Sequence, residues 1–245
     1  TPDRFRTVPC PTYPEIRLSL VRPGIIRKLL AEFEPDAVHI ATEGTLGWAT
    51  RYACRRLGLA FTTSYHTRFP EYVRLRAPVP LSLSYGVLKT FHGGAVRTMA
   101  APTIIDELAG RGFTNLVSWS RGVDTTLFRP RPPSPLKPPG PLFVYVGRVS
   151  PEKNLPAFLD LDLPGHKWVI GDGPMLAALR RAYPQVRFFG AKRDEDLARH
   201  LAAADVFIFP SLTDTFGIVL LEANACGVPV AAFPVTGPHS LVREG

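Results

Sequence analysis

The sequence predicts an α/β protein made of two doubly wound parallel sheets, and three observations predict it. Short apolar runs alternate with helix-period segments along the chain, as strand and helix do in a parallel sheet. A stretch from Phe128 to Pro141, seven of whose fourteen residues are proline, interrupts that alternation and has little capacity for a helix or a central strand. Beyond it the alternation restarts, with glycines and charges at the carboxyl ends of the strands, where such sheets bind ligands.

Residues 1–129 form the first expected domain, which opens in an irregular Pro-rich segment with no first strand and glycine turn. Buried strands are then read at 37–41, 60–65 and 95–100, and helices at 23–34, 46–57, 81–92 and 102–110. Residues 130–141 are expected to be a stiff, extended linker. In the second domain, 142–245, strands are read at 142–146, 166–170, 186–189, 205–209 and 228–232, and helices at 154–161, 174–182, 194–203 and 217–226. Both ends read as incomplete, with a first strand and loop missing at one end and C-terminal helices at the other.

Composition narrows the function. At 245 residues and 45% apolar content the chain can bury two cores. No run of about eighteen apolar residues and no basic opening followed by an apolar stretch occurs, so neither a membrane span nor a signal peptide is expected. Cys10, Cys54 and Cys226 are odd in number and lack metal or disulfide spacing, which fits buried thiols in a reducing cytoplasm. Residues 1–140 hold 19 Lys and Arg against 10 Asp and Glu, whereas residues 141–245 hold 10 against 11. The basicity of the first half suggests a solvated Arg-rich surface or an anionic partner. Among anionic partners a membrane surface is preferred to nucleic acid, because Arg68, Arg74 and Arg76 lie among Pro70, Pro78 and Pro80 without a nucleic-acid motif. The expected location is cytoplasmic, peripheral at the inner face of the membrane, through Val73 to Leu83.

Four strand ends carry candidate chemistry. Strand 142–146 runs into Gly147-Arg-Val-Ser-Pro-Glu-Lys-Asn154, where Arg148 and Lys153 make either a diphosphate clamp or a solvated turn. Strand 166–170 ends in Gly171-Asp-Gly173-Pro174, whose glycines permit close backbone approach, although Gly-x-Gly alone equally fits an ordinary strand-to-helix turn. Gly190 ends the next strand, where backbone groups could meet a base. Asp214 and Glu222 bracket a Phe216-Gly217 turn, and a helix starting at Gly217 would place Asp214 beside the amides of Phe216, Gly217 and Ile218. This pair suits acid–base chemistry or the recognition of a polyhydroxylated anion. Asp160-Leu-Asp162 matches a metal-binding pattern but precedes a strand and reads as a solvated helix exit, so no metal is expected.

Gly-Arg-x-x-x-Glu-Lys-Asn at 147–154, Gly-Asp-Gly-Pro at 171–174 and Asp-x-Phe-Gly-x-x-x-x-Glu-Ala at 214–223 together resemble the donor half of glycosyltransferase family 4. Ser64-Tyr-His-Thr-Arg-Phe-Pro-Glu-Tyr72 and Arg121-Gly-Val-Asp124 resemble the same family, especially its lipid-directed mannosyltransferases and sulfoquinovosyltransferases. The resemblance spans about residues 36–240 and implies the GT-B fold, two Rossmann-like domains facing a cleft. It implies that Arg148 and Lys153 hold the diphosphate of a nucleotide sugar, with GDP-mannose favoured, and that Glu222 takes the ribose hydroxyls. Asp214 and the amides from Phe216 through Gly217 and Ile218 to Val219 would engage the transferred sugar, while His66 would hydrogen-bond that sugar or the leaving group. Two departures stand out: the family usually carries Glu where Asp214 stands, and nothing matches its opening strand and glycine-rich loop.

The implied reaction is retaining transfer of a hexose to a lipid or glycan acceptor, by same-face displacement without a protein nucleophile or metal. Two other readings stay open: a noncatalytic nucleotide-sugar-binding fragment or interaction protein, and a sugar-nucleotide epimerase.

Overall fold

In the computed structural model, which describes residues 5–10, 13–132, 134–212, 214, 216–235 and 238, contacts divide the chain into two units, Thr1–Ser120 and Arg121–Gly245. The division precedes the expected boundary at 129 because Val123, Leu127 and Phe128 pack into the core of the second unit.

Among the described residues the first unit begins with paired strands, where its prolines suggested an irregular segment. Thr7–Cys10 (β1) and Tyr13–Ser19 (β2) pair antiparallel, with a register shift at Pro9/Cys10. A two-stranded ribbon tolerates proline where a central strand would not, since its outer edge needs no ladder donor. The main sheet follows, made of Val38–Ile40 (β3), Phe61–Tyr65 (β4), Arg97–Ala100 (β5) and Leu116–Ser118 (β6), all parallel and in chain order. Its helices are Pro23–Phe33 (α1), Thr45–Leu57 (α2), Phe69–Arg76 (α3), Leu81–His92 (α4) and Pro102–Gly110 (α5). Proline stands in the first turn of α1, α3 and α5, where a missing amide hydrogen costs nothing. Ile40, Phe61, Cys54 and Phe91 form one core, and Tyr65, Ala100, Ile104 and Leu108 another.

Polar groups run through this unit as well. His92 is fully buried; its Nδ1 lies 2.8 Å from Thr63 Oγ1 and its Nε2 3.1 Å from Glu43 Oε1. Thr63 Oγ1 lies 2.9 Å from Thr98 Oγ1, and Asn115 donates to the carbonyls of His92 and Ala95. The network ties α4 to β4, β5 and the loop after β3, satisfying groups that would otherwise be buried unpaired.

The second unit carries the parallel strands Leu142–Val146 (β7), His166–Ile170 (β8), Arg187–Gly190 (β9), Val206–Phe209 (β10) and Val230–Ala232 (β11), in the order β11-β10-β7-β8-β9. Pro156–Leu159 (α6), Leu176–Ala182 (α7), Asp194–Ala202 (α8) and Ile218–Ala225 (α9) connect them. Alternation sorts the side chains between two faces. Leu142, Val144, Val146, Trp168, Ile170, Phe207 and Phe209 pack with Leu201 and Leu220 on one face, and Tyr145, Val169 and Ile208 pack with Phe158 and Leu179 on the other. The strand order reverses between β7 and β10, the position at which doubly wound sheets open a crevice beyond the strand ends.

The Pro-rich segment is fastened to this second unit. Arg131 grips Glu195 through two bonds of 2.7 and 2.9 Å. Lys137 donates to Asp205 at 2.6 Å, and the other Asp205 oxygen accepts from the Leu142 amide. The Lys137 hydrogen bond, above all, holds the Asp205 carboxyl below its usual range. Cys54 and Cys226 are free and buried, and Cys10 is free and half-buried. Among the described residues no helix is long and apolar enough to cross a membrane.

Candidate functional site

The expected diphosphate residues lie at the reversal between β7 and β10. Leaving β7, the chain passes Gly147 and Arg148, buries Val149 and Ser150, and closes a 3-10 turn at Pro151–Lys153. Leaving β10, it passes the buried Ser211 and reaches Asp214. The two loops are joined by Ser211 Oγ donating to the Glu152 carbonyl at 3.4 Å and by Lys153 Nζ donating to Asp214 Oδ2 at 2.5 Å. Lys153 also lies 5.9 Å from the Phe209 ring centroid. The structure therefore brings together Lys153 and Asp214, 61 residues apart in the chain.

Under this cluster, the Tyr145 hydroxyl donates to the Arg148 carbonyl at 2.8 Å. Burial first, and then the nearby Asp214 and Glu152 carboxylates, push the Tyr145 phenol well above its usual range and keep it a neutral donor. Glu152 is buried and accepts from Ser150 Oγ at 2.8 Å. Glu152 was a fixed position of the 147–154 motif but had no role assigned, and Tyr145, Ser150 and Ser211 were not singled out from sequence. Apolar patterning hides Tyr145 inside a strand, Ser150 acts within its own loop, and Ser211 acts through a contact made only when the two loops meet.

Gly171 and Gly173 sit beside this loop at the end of β8. A Cβ on Gly171, whose φ is +143°, would fall 1.8 Å from the Gly147 carbonyl oxygen. The Gly171 amide donates to the Gly190 carbonyl at 2.8 Å and the Gly173 amide to Asp172 Oδ1 at 2.7 Å. These glycines let three neighbouring strand ends pack backbone against backbone.

Helix α9 starts at Ile218, one residue later than expected, because Gly217 is its N-cap and takes the left-handed conformation with φ +72°. Phe216 and Val219 flank this start, half-buried. One turn along the same face, the Glu222 carboxyl is raised above its usual range by burial. Its Oε2 is buried and has no hydrogen-bond partner among the described residues. A buried carboxylate oxygen of this kind is an acceptor waiting for a donor, as a ligand hydroxyl would be.

In the first unit His66 directly follows β4, and its ring lies 5.2 Å from that of Trp119, which directly follows β6. Trp119 is 42% exposed, a large aromatic at the carboxyl edge of the sheet that apolar periodicity does not single out. Behind His66, Glu71 accepts from Tyr85 at 2.7 Å, and Arg68 pairs with Glu107, which also takes Arg111 at 3.0 Å. These contacts fix α3 against α4 and α5. The side chains of Leu75 and Arg76, within the basic stretch expected to meet a membrane, lie outside the described residues.

Asp160 caps α6 and accepts from the Tyr183 hydroxyl at 2.6 Å. Among the described residues no group of three His, Cys, Asp or Glu could hold a metal ion.

Comparison with known proteins places the chain. Residues 1–127 match the model of Glycosyltransferase Family 4, and residues 140–245 that of Glycosyl transferases group 1. The chain is 32% identical over 251 residues to a GDP-mannose-dependent alpha-mannosyltransferase of Mycobacterium tuberculosis strain CDC 1551 / Oshkosh, covering 98% of this chain and 66% of that protein. It is 31% identical over 258 residues to sulfoquinovosyl transferase SQD2 of Arabidopsis thaliana, covering 98% of this chain and 50% of that protein. The chain thus spans between half and two thirds of the length of these curated relatives. Among solved structures, Anabaena Alr3699/HepE in complex with UDP and glucose matches with a TM-score of 0.69 at 20% identity, covering 91% of this chain and 66% of that one. The pneumococcal O-GlcNAc transferase GtfA, in complex with UDP and GlcNAc, matches with a TM-score of 0.68 at 14% identity, covering 95% and 49%. Both share the GT-B fold. A family model over more than half of the chain, with the second model over the remainder, makes this chain a member of glycosyltransferase family 4.

Proposed function

We propose that the protein transfers a hexose from a nucleotide diphosphate sugar, with retention, to a lipid or glycan acceptor. The observation that carries this reading is the meeting of Lys153 and Asp214 at the strand-order reversal of a five-stranded parallel sheet, on loops of which the first also carries Arg148. Negative charge grows on the leaving diphosphate as its bond to the sugar breaks, and fixed cations facing that charge lower the barrier. Arg148 and Lys153 fill this role. Glu222, whose buried oxygen has no partner among the described residues, receives the ribose hydroxyls. Asp214 and the Phe216 to Val219 turn face the transferred sugar, and His66 serves that sugar or its leaving group.

Mannose is the first choice of sugar and GDP-mannose of donor, on the likeness to mannosyltransferases. The acceptor side is proposed to meet an anionic bilayer, supported by the basic balance of the first half and by Phe69, Val73 and Leu83, which expose apolar surface near Arg74. Stronger binding to anionic than to neutral vesicles is expected, and equal binding would remove the membrane face.

The transfer reading is tested by assaying the full-length protein with GDP-, UDP- and ADP-sugars and a lipid extract as acceptor. Lys153→Ala is expected to lower turnover by about a hundredfold or more while the fold stays intact. Unchanged turnover would remove the diphosphate clamp.

A further inference from the structure

Lys153 is not offered to a ligand as a bare cation. Its ammonium donates to Asp214 Oδ2 at 2.5 Å, and the two side chains are only 16% and 17% exposed. A partly desolvated ion pair this short is strong, and the carboxylate neutralises the Lys153 charge. We propose that Asp214 is the displaceable counter-ion of Lys153: it holds the ammonium until a diphosphate takes its place, and only then is the carboxylate released.

Three observations lead there. The pair spans the two loops that leave β7 and β10, so an anion entering at the reversal meets both partners at once. Asp214 is shorter by one methylene than the usual family residue, and in this chain its carboxylate is spent on Lys153. Beside Lys153 in the chain stands a second carboxylate, Glu152, buried and bonded to Ser150 Oγ at 2.8 Å. A carboxylate held against the ammonium repels an incoming diphosphate and competes with it for the same N–H donors. Diphosphate binding is therefore weakened by Asp214, and an unoccupied site keeps a neutral pair instead of a buried unpaired charge. The released carboxylate becomes an acceptor for a sugar hydroxyl only once a diphosphate is in place, which couples recognition of the two parts of the donor.

This inference rests on the diphosphate site proposed above, and titration calorimetry on the full-length protein separates the two. The probes are GDP, UDP and ADP, which carry the diphosphate without the sugar, and the corresponding monophosphates. Lys153→Met is expected to weaken the best diphosphate. Asp214→Asn is expected to tighten it by about tenfold, with little change for the monophosphate. Asp214→Ser, which also removes the charge, should do the same and guards against a folding defect in one variant. In the Lys153→Met background the gain from Asp214→Asn should vanish. If Asp214→Asn binds the diphosphate equally or more weakly, or if its gain survives without Lys153, the counter-ion role is overturned and the diphosphate site stands. If Lys153→Met leaves diphosphate affinity unchanged, or no diphosphate binds, both fall.

Discussion

Gly171 faces Gly147 so closely that a Cβ on Gly171 would lie 1.8 Å from the Gly147 carbonyl oxygen. The ends of β7 and β8 meet through bare backbone, and that contact sets the path of the loop carrying Arg148 and Lys153. Gly171→Ala is expected to cost at least about 2 kcal/mol, because a collision with backbone is relieved only by moving a strand end. Gly190→Ala tests the assignment by contrast: its φ is +74° but a Cβ there meets nothing within 4 Å, so about 1 kcal/mol is expected. Urea unfolding of both variants measures the difference.

Glu222 should trade stability for binding. Burial raises its carboxyl, so the folded chain holds the proton more tightly than the unfolded chain does and ionisation opposes folding. The stability associated with this group is full below the unfolded carboxyl range and falls as pH rises through the raised folded value. Glu222→Gln is therefore expected to melt higher than wild type at pH 7, with the gap closing below about pH 4. The same variant should bind a nucleoside diphosphate about tenfold more weakly, having lost a charge-assisted bond to the ribose. A 2′,3′-dideoxy nucleotide should bind variant and wild type alike. Melts at the two pH values and calorimetric titrations check both halves.

The buried network around His92 makes a separate prediction for the first unit. Thr63 Oγ1 is 2.8 Å from His92 Nδ1 and 2.9 Å from Thr98 Oγ1, so Thr63→Val strips a partner from two buried groups at nearly constant shape. About 1–3 kcal/mol of destabilisation is expected, whereas Thr63→Ser keeps the hydroxyl and should cost less than about 1.5 kcal/mol. Chemical denaturation of the two variants distinguishes a network role from simple filling of space.

Much of the second unit was legible because its strands are buried on both faces and read as continuous apolar runs, such as Leu142–Val146 and Val206–Phe209. What escaped was short or proline-bearing. The hairpin β1–β2 looked irregular because Pro9 sits in it, α3 was hidden behind Pro70, and β6 is only three residues long. Helix α6 starts only at Pro156, since Asn154 takes the left-handed conformation that closes the 3-10 turn carrying Lys153, and it ends at Leu159. At the site, the glycines and charges stood out by position, and the resemblance assigned them jobs. The pairing of Lys153 with Asp214 had no sequence signal at all, because it depends on the order of strands in the sheet and not on their order in the chain. The Glu43–His92 contact was silent because it joins a loop to a helix 49 residues further along the chain.

The central claim is that the crevice between β7 and β10 holds a nucleotide diphosphate sugar through Lys153. A thermal-shift titration of full-length wild type and Lys153→Ala with GDP-mannose and its UDP- and ADP-sugar counterparts tests it most directly. A ligand at a hundred times its dissociation constant adds about 2.7 kcal/mol to the native state. At least one donor is expected to raise the wild-type midpoint by a few degrees and to leave Lys153→Ala unmoved. A midpoint that no donor raises, or that rises equally in the variant, would contradict the account.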